Sequence, residues 1–217
     1  VDVSTRYTMR SREMYQRYAA YIFRVVKAKM GNYLIFFPSY RFMEDVYQEF
    51  TQLLASDEEE MELVIQQQHM DEEERENFLR AFEMGREKSL IGFGVLGGIF
   101  SEGIDLTNEK LIGTLIIGTG LPQVCNEREI LKSYFDQKGL SGFDYAYRYP
   151  GMNKVLQAAG RVIRTEDDRG VILLLDERFQ REKGKEIFPK EWADCERCRL
   201  DFVEEKIRLF WEKQTDN

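Results

Sequence analysis

The chain has 217 residues, 43% apolar and 32% charged, which describes a globular protein long enough to bury a proper core as one large domain or one domain with extensions. No apolar run approaches the roughly 18 residues that cross a bilayer, no charged-then-apolar leader opens the chain, and 3 cysteines make no disulfide framework, so the sequence reads as cytoplasmic, in a reducing compartment, with no membrane partner. The net charge of −8 is local: Asp57 to Glu76 holds ten acidic residues and one basic, and the remainder is near +1, so the balance does not exclude nucleic acid.

Val1 to Thr8 reads as an approach segment, and a start without methionine is consistent with an excised piece. Ser11 is a plausible cap for a helix running to about Met30, with Tyr18, Tyr21, Ile22, Val25 and Val26 on one side. Gly31 closes it, and Asn32 to Pro38 is a continuous apolar run, a buried parallel strand stopped by proline. Ser39-Tyr40-Arg41 follows at its carboxyl end, before a helix with Met43, Val46, Tyr47, Phe50 and Leu54 inward.

Glu62 to Gln67 is a short strand, and Asp71 to Glu83 a helix with Phe78, Ala81 and Phe82 inside. His69 reads as a bystander. Leu90 to Leu96 is apolar but glycine-laced, a central strand against which other backbone packs closely. Leu111 to Gly118 is the next strand. Glu127 to Gln137 reads as a helix, and Leu140 to Tyr149 as an aromatic, glycine-broken loop whose Phe143, Tyr145, Tyr147 and Tyr149 serve either base stacking or packing. Cys125 is expected to be packed.

Val155 to Asp176 organises the rest. On a helix Gln157, Arg161 and Arg164 fall at i, i+4 and i+7, on one flank opposite Val155, Ala158, Ala159, Val162 and Ile163. Gly160 lies beside that flank, where a missing side chain admits close approach to the backbone. An ordinary surface helix is the plain alternative. Val171 to Leu175 reads as a strand buried on both faces, and Phe188 to Trp192 as a turn into a last helix from about Cys195 to Lys213. Cys195 and Cys198 form a C-x-x-C without two further ligands nearby, so no metal is assigned.

Strand and helix in alternation argue for a mostly parallel sheet with helices on both faces. No repeat or linker divides the chain, so 1–217 is drawn as one domain, with a linker and helix over 1–30 and a C-terminal helix over 193–217. Ligands of such sheets bind beyond the carboxyl ends of the strands. Three of the stretches singled out here are expected at or near those ends, and the arginine flank is expected to look out of the fold there. In Gly97 to Asp105, glycines free backbone N–H groups for an anion, Ser101 offers a hydroxyl, and Glu102 or Asp105 can accept from a ribose. A tight loop whose acids cap the next element is the alternative.

The spacing Gln157-x-x-Gly160-Arg161-x-x-Arg164 resembles the sixth motif of superfamily 2 helicases, and QAAGRVIRTEDDRGVILLLDERF looks like the DinG/XPD-like branch of iron–sulfur DNA helicases. Phe100 to Asp105, F-S-E-G-I-D, resembles the fifth motif of that branch, and Phe36 to Tyr40 the fourth. The resemblance runs from the Asn32 strand to about Trp192. It implies a three-layer α/β/α, RecA-like (P-loop NTPase-type) second motor domain. Arg161 and Arg164 are then arginine fingers, with Gln157 orienting a phosphate or water. Gly103, Asp105 and Gly160 fall on the nucleotide side, and Ser39, Ser101 and Glu102 on the nucleic-acid side, although Glu102 can serve either.

The resemblance further implies ATP and Mg²⁺ held mainly by an upstream RecA-like domain of the same chain, single-stranded DNA as partner, a role in DNA repair, and an iron–sulfur cluster in the parent protein. No G-x-x-x-x-G-K-[ST] loop, D-E-A-H-type acid pair or set of four cluster cysteines is present. The family carries these on its first motor domain, so this piece alone is expected to be inactive. Two rivals stand beside that reading: a non-hydrolysing module that binds nucleic acid or protein, and a self-sufficient α/β nucleotide hydrolase or transferase.

Overall fold

The computed structural model describes residues 2–56, 60–82, 87–100, 111–163, 168–181 and 185–215. Ser101, Glu102, Gly103, Asp105 and Arg164 therefore lie outside the described residues. Five strands, β1 (Asn32–Phe37), β2 (Met61–Ile65), β3 (Ser89–Val95), β4 (Gly113–Ile117) and β5 (Val171–Leu175), form one sheet in the order β2-β3-β1-β4-β5. Every pairing is parallel. The helices are α1 (Arg12–Ala28), α2 (Tyr40–Ala55), α3 (Glu72–Ala81), α4 (Asn126–Gln137), α5 (Tyr149–Ala159) and α6 (Leu200–Thr215).

Two cores follow from the period of two along the strands. Tyr33, Ile35 and Phe37 of β1 face one way and meet buried residues of α1, α2 and α6, such as Ile22, Val46 and Val203. Leu34 and Phe36 face the other way, toward Phe78 of α3 and Val155 and Ala158 of α5. The architecture is thus the three-layer α/β/α arrangement of a RecA-like domain. Each large side chain so buried contributes on the order of 1.5–3 kcal/mol. Ser11 does cap α1, accepting from the Met14 N–H at 3.3 Å. Asp71 and Glu74 close a capping box on α3, satisfying two amides that the helix leaves unpaired.

The glycines of β3 have a packing cause: a Cβ on Gly92 would lie 2.6 Å from the Phe82 ring and 2.9 Å from Leu34 Cδ1. β3 is interior, between β2 and β1.

Several expectations are corrected. The helix carrying Gln157 stops at Ala159. Gly160 is its cap, and Arg161 and Val162 continue as turns closed by Arg161 N–H to Ala158 O and Val162 N–H to Ala159 O. The aromatic stretch is helical rather than a loop: Asp144–Arg148 is a π-helical turn that runs straight into α5. β5 is an edge strand and only Leu175 in it is fully buried, because no strand among the described residues pairs with its outer side. α6 starts at Leu200 rather than Cys195. Cys125 is exposed, since α4 buries no residue and its preceding turn stays at the surface.

Candidate functional site

The crossovers decide where each candidate lies. Ser39 follows the carboxyl tip of β1, where its hydroxyl caps α2 by accepting from the Phe42 N–H at 3.3 Å. That leaves the hydroxyl's own proton, with the first amides of α2, at the sheet's upper edge. Gly97 follows the tip of β3 with φ +75°, and a Cβ there would lie 2.9 Å from Cδ, Cε and Nζ of Lys154. The glycine therefore meets two demands, a left-handed backbone and room for the lysine of α5 to cross it. Lys154 makes no hydrogen bond or ion pair among the described residues.

α5 then descends the sheet face. Its first turn packs on the loop after β4: a Cβ on Gly151 would sit 2.7 Å from Thr119 O, and one on Gly120 2.6 Å from Gly151 O. Its far end reaches the start of β5, where a Cβ on Gly170 would overlap Val162 Cγ1 at 2.2 Å and meet Ile112 O at 3.0 Å. Arg161, half-buried, is thus beside the amino ends of β4 and β5. This corrects the expected position near the carboxyl tips. A helix that links two parallel neighbours must run back along the sheet, so its last turn lies opposite the tips. Gln157 and Gly160 are exposed near that end. On the same face, Phe100 after β3 and Leu111 before β4 are both buried in the α3/α5 core.

The carboxyl tips of β4 and β5 hold a feature that the sequence reading missed. A cavity of about 470 Å³ lies there, bounded by Arg6, Arg148, Arg178 and Arg181 and by apolar groups that include Phe143 and Met152. Phe143 is 47% exposed. Tyr147, in contrast, is buried and donates to Glu129 Oε1 at 2.5 Å; that carboxylate, with burial, pushes its pKa up to about 12. The aromatic stretch thus splits between packing and exposure. Arg148 donates to Asp144 at 2.8 Å, and Arg6 pairs with Glu177 at 3.1 Å. Arg148 Nε and Thr119 Oγ1 are buried with no hydrogen-bond partner among the described residues, a polar demand that a ligand can meet.

Beneath the cavity, Asp176 is fully buried and accepts from Thr5 N–H (3.0 Å), Thr5 Oγ1 (2.8 Å) and Arg178 Nε (2.7 Å). Burial raises its pKa, but Arg178's hydrogen bonds and charge, with the Arg178 and Thr5 amides, outweigh that and hold it below the ordinary value. The signal that could have found this set was the tip rule itself, applied to the residues just after β5.

Comparison with known proteins adds to the geometry. The model of the helicase C-terminal domain family matches residues 22–195. The ATP-dependent DNA helicase XPD of Sulfolobus acidocaldarius is 29% identical over 184 residues, 83% of this chain and 31% of that protein. The general transcription and DNA repair factor IIH helicase subunit XPD/RAD3 of Saccharomyces cerevisiae is 28% identical over 196 residues, 85% of this chain and 24% of that protein. A solved XPD helicase structure superposes with a TM-score of 0.67 at 25% identity, over 86% of this chain and 32% of that one. This chain spans about a third or less of the length of these curated relatives.

Proposed function

The chain belongs to the helicase C-terminal domain family, in its XPD/DinG-like superfamily 2 branch, and from that premise we propose that it is the second motor domain of an ATP-dependent DNA helicase. It acts with an upstream RecA-like domain of the same chain, which holds ATP and Mg²⁺. Arg161 and Arg164 close on the transferred phosphoryl group and stabilise its charge in the transition state. Gln157 orients a phosphate or water, Gly160 admits the nucleotide to the backbone, and Gly103 and Asp105 complete that side. Ser39, Ser101 and Glu102 contribute to a single-stranded DNA track that continues across the arginine-rimmed cavity. Residues 1–217 act as one unit, without hydrolysis of their own.

The observation that carries this reading is the course of α5. One rigid helix connects the cavity at the strand tips, by way of Gly151, to the Gln157–Arg161 flank at the opposite end of the sheet. Strand phosphates and bases suit the first end, where guanidiniums flank an exposed phenyl ring. A nucleotide phosphate suits the second. Closure of the two motor domains on ATP moves both ends together, so hydrolysis shifts the strand contacts.

The test is hydrolysis by the longer helicase chain with Arg161→Ala or Arg164→Ala. Turnover should fall by about 10³–10⁵, as for arginine fingers elsewhere, with ATP binding largely spared and no hydrolysis by residues 1–217 alone. Full activity after both replacements sinks the finger assignment and favours the non-hydrolysing module.

A further inference from the structure

Gln66 belongs to none of the motifs above, yet its side chain reaches both Tyr40, the last residue of the fourth-motif stretch, and Val95, two residues before the Gly97 segment. β2 ends at Ile65, paired with Phe93, and Gln66 N–H still bonds Phe93 O at 2.8 Å. At the next rung a carbonyl of β2 would accept from Val95 N–H. The side chain of Gln66 takes that place: its Oε1 accepts from Val95 N–H at 2.8 Å. Its Nε2 donates to Tyr40 OH, also at 2.8 Å. Gln66 is 2% exposed.

Two glycines clear the space this amide fills. A Cβ on Gly98 would stand 3.1 Å from Nε2, and one on Gly94 3.3 Å from Oε1. Tyr40 is the first residue of α2, directly after Ser39. Val95 is the last residue of β3, and the next amide, Leu96 N–H, bonds Phe37 O at 2.8 Å. A planar carboxamide therefore joins the end of β3 to the first residue of α2, beside the backbone bond from Leu96 to Phe37.

We propose that Gln66 is a positioning residue that couples DNA occupancy at Ser39 to the nucleotide-side segment beginning at Gly97. The inference rests on the function proposed above. Gln66 is itself buried and both ends of its amide are engaged, so the amide has one arrangement for a given spacing of its neighbours. That makes it a rigid strut between two sites rather than a soft contact.

The experiment uses the longer helicase chain and measures ATP hydrolysis with and without an oligo(dT) strand, together with ATP KM and melting temperature. Gln66→Leu should lower the stimulation by DNA about tenfold, within the usual span of coupling between sites. DNA-free turnover and ATP KM should stay within about twofold. Tyr40→Phe, which removes one hydroxyl, should lower the stimulation in the same direction. Gln66→Glu should restore it, because a carboxylate accepts from Val95 N–H and from a reoriented Tyr40 hydroxyl.

Retained stimulation in a folded Gln66→Leu overturns the proposal. So does a parallel fall of basal turnover, stimulated turnover and melting temperature, which marks a merely structural role. If Gln66→Leu fails to fold, Tyr40→Phe decides alone, and full stimulation in that variant overturns the proposal. A native protein whose hydrolysis ignores DNA defeats the helicase reading itself, a result distinct from the others.

Discussion

Thr5 and Asp176, 171 residues apart in the chain, are joined by two hydrogen bonds to one carboxylate oxygen, from the Thr5 amide at 3.0 Å and its hydroxyl at 2.8 Å. The other oxygen holds Arg178 Nε at 2.7 Å. The approach segment is thereby tied to the tip of β5, under the cavity. Asp176→Asn keeps the shape but turns an NH₂ donor toward donors and removes the charge facing Arg178. The expected cost is about 3 kcal/mol, as for a broken buried pair, read as a shift of the urea midpoint.

The same carboxylate sets an acid limit. Its folded pKa lies below the ordinary 3.8, so its contribution is fully present above that value and is lost as pH falls through the folded one. The stability gap between the native chain and Asp176→Asn should be flat near neutrality and should shrink only as pH drops below about 4. Unfolding curves at several pH values check the sign. A gap that widens in acid contradicts it.

These contacts mark where the sequence stops being informative. β1, β4 and the alternation of strands and helices were legible because apolar runs and helical spacing are local properties. The π-helical turn was not: Phe143, Tyr145, Tyr147 and Tyr149 lie between Gly142 and Gly151, and an aromatic stretch broken by glycine reads as a loop. Its stability comes from Arg148 on Asp144 and from Tyr147 on Glu129 of α4, partners visible only in three dimensions. The motif residues around Arg161 were legible by spacing, but their end of the sheet was not, because it follows from the direction of the crossover. Gln66 was hidden in a run of three glutamines.

Gly160 separates fold from function. It has φ −65° and ψ 0°, ordinary for any residue, and among the described residues an added Cβ would meet only Leu156 O at 3.3 Å and Gln157 O at 3.7 Å. Gly160→Ala should therefore leave stability unchanged or raise it by about 0.5 kcal/mol through a less flexible unfolded chain. Any loss of ATP turnover in the longer helicase chain then reports close approach of the nucleotide. A variant both stable and fully active removes Gly160 from the nucleotide side.

Gly151 gives the opposite result for a stated reason. The nearest atoms to its added Cβ are backbone, Thr119 O at 2.7 Å and Leu121 N at 3.1 Å, which cannot rotate away as a side chain would. Gly151→Ala must lift the start of α5 from the tip of β4, at an expected cost of about 1–3 kcal/mol. Gly139→Ala, with open space around it but φ +74°, should lose only the backbone term of about 1–2 kcal/mol. Thermal melts of the two variants, compared with strand binding, separate them: only Gly151→Ala should also weaken DNA affinity, since α5 carries one wall of the cavity.

The cavity makes two different demands on a strand, and salt distinguishes them. Phe143 offers a ring face, and stacking of one base is worth about 1–3 kcal/mol with no dependence on counterions. Arg181, 57% exposed in its side chain, offers charge; one neutralised phosphate of a single strand changes the slope of log K against log salt by about 0.7. In the longer helicase chain, Phe143→Ala should lower oligo(dT) affinity equally at every salt concentration. Arg181→Ala should flatten the slope and lose its effect as salt rises. Anisotropy titrations across a salt series read both. Parallel behaviour of the two variants would mean that neither the ring nor the guanidinium meets the strand directly, and native affinity in both would move the track off these strand tips.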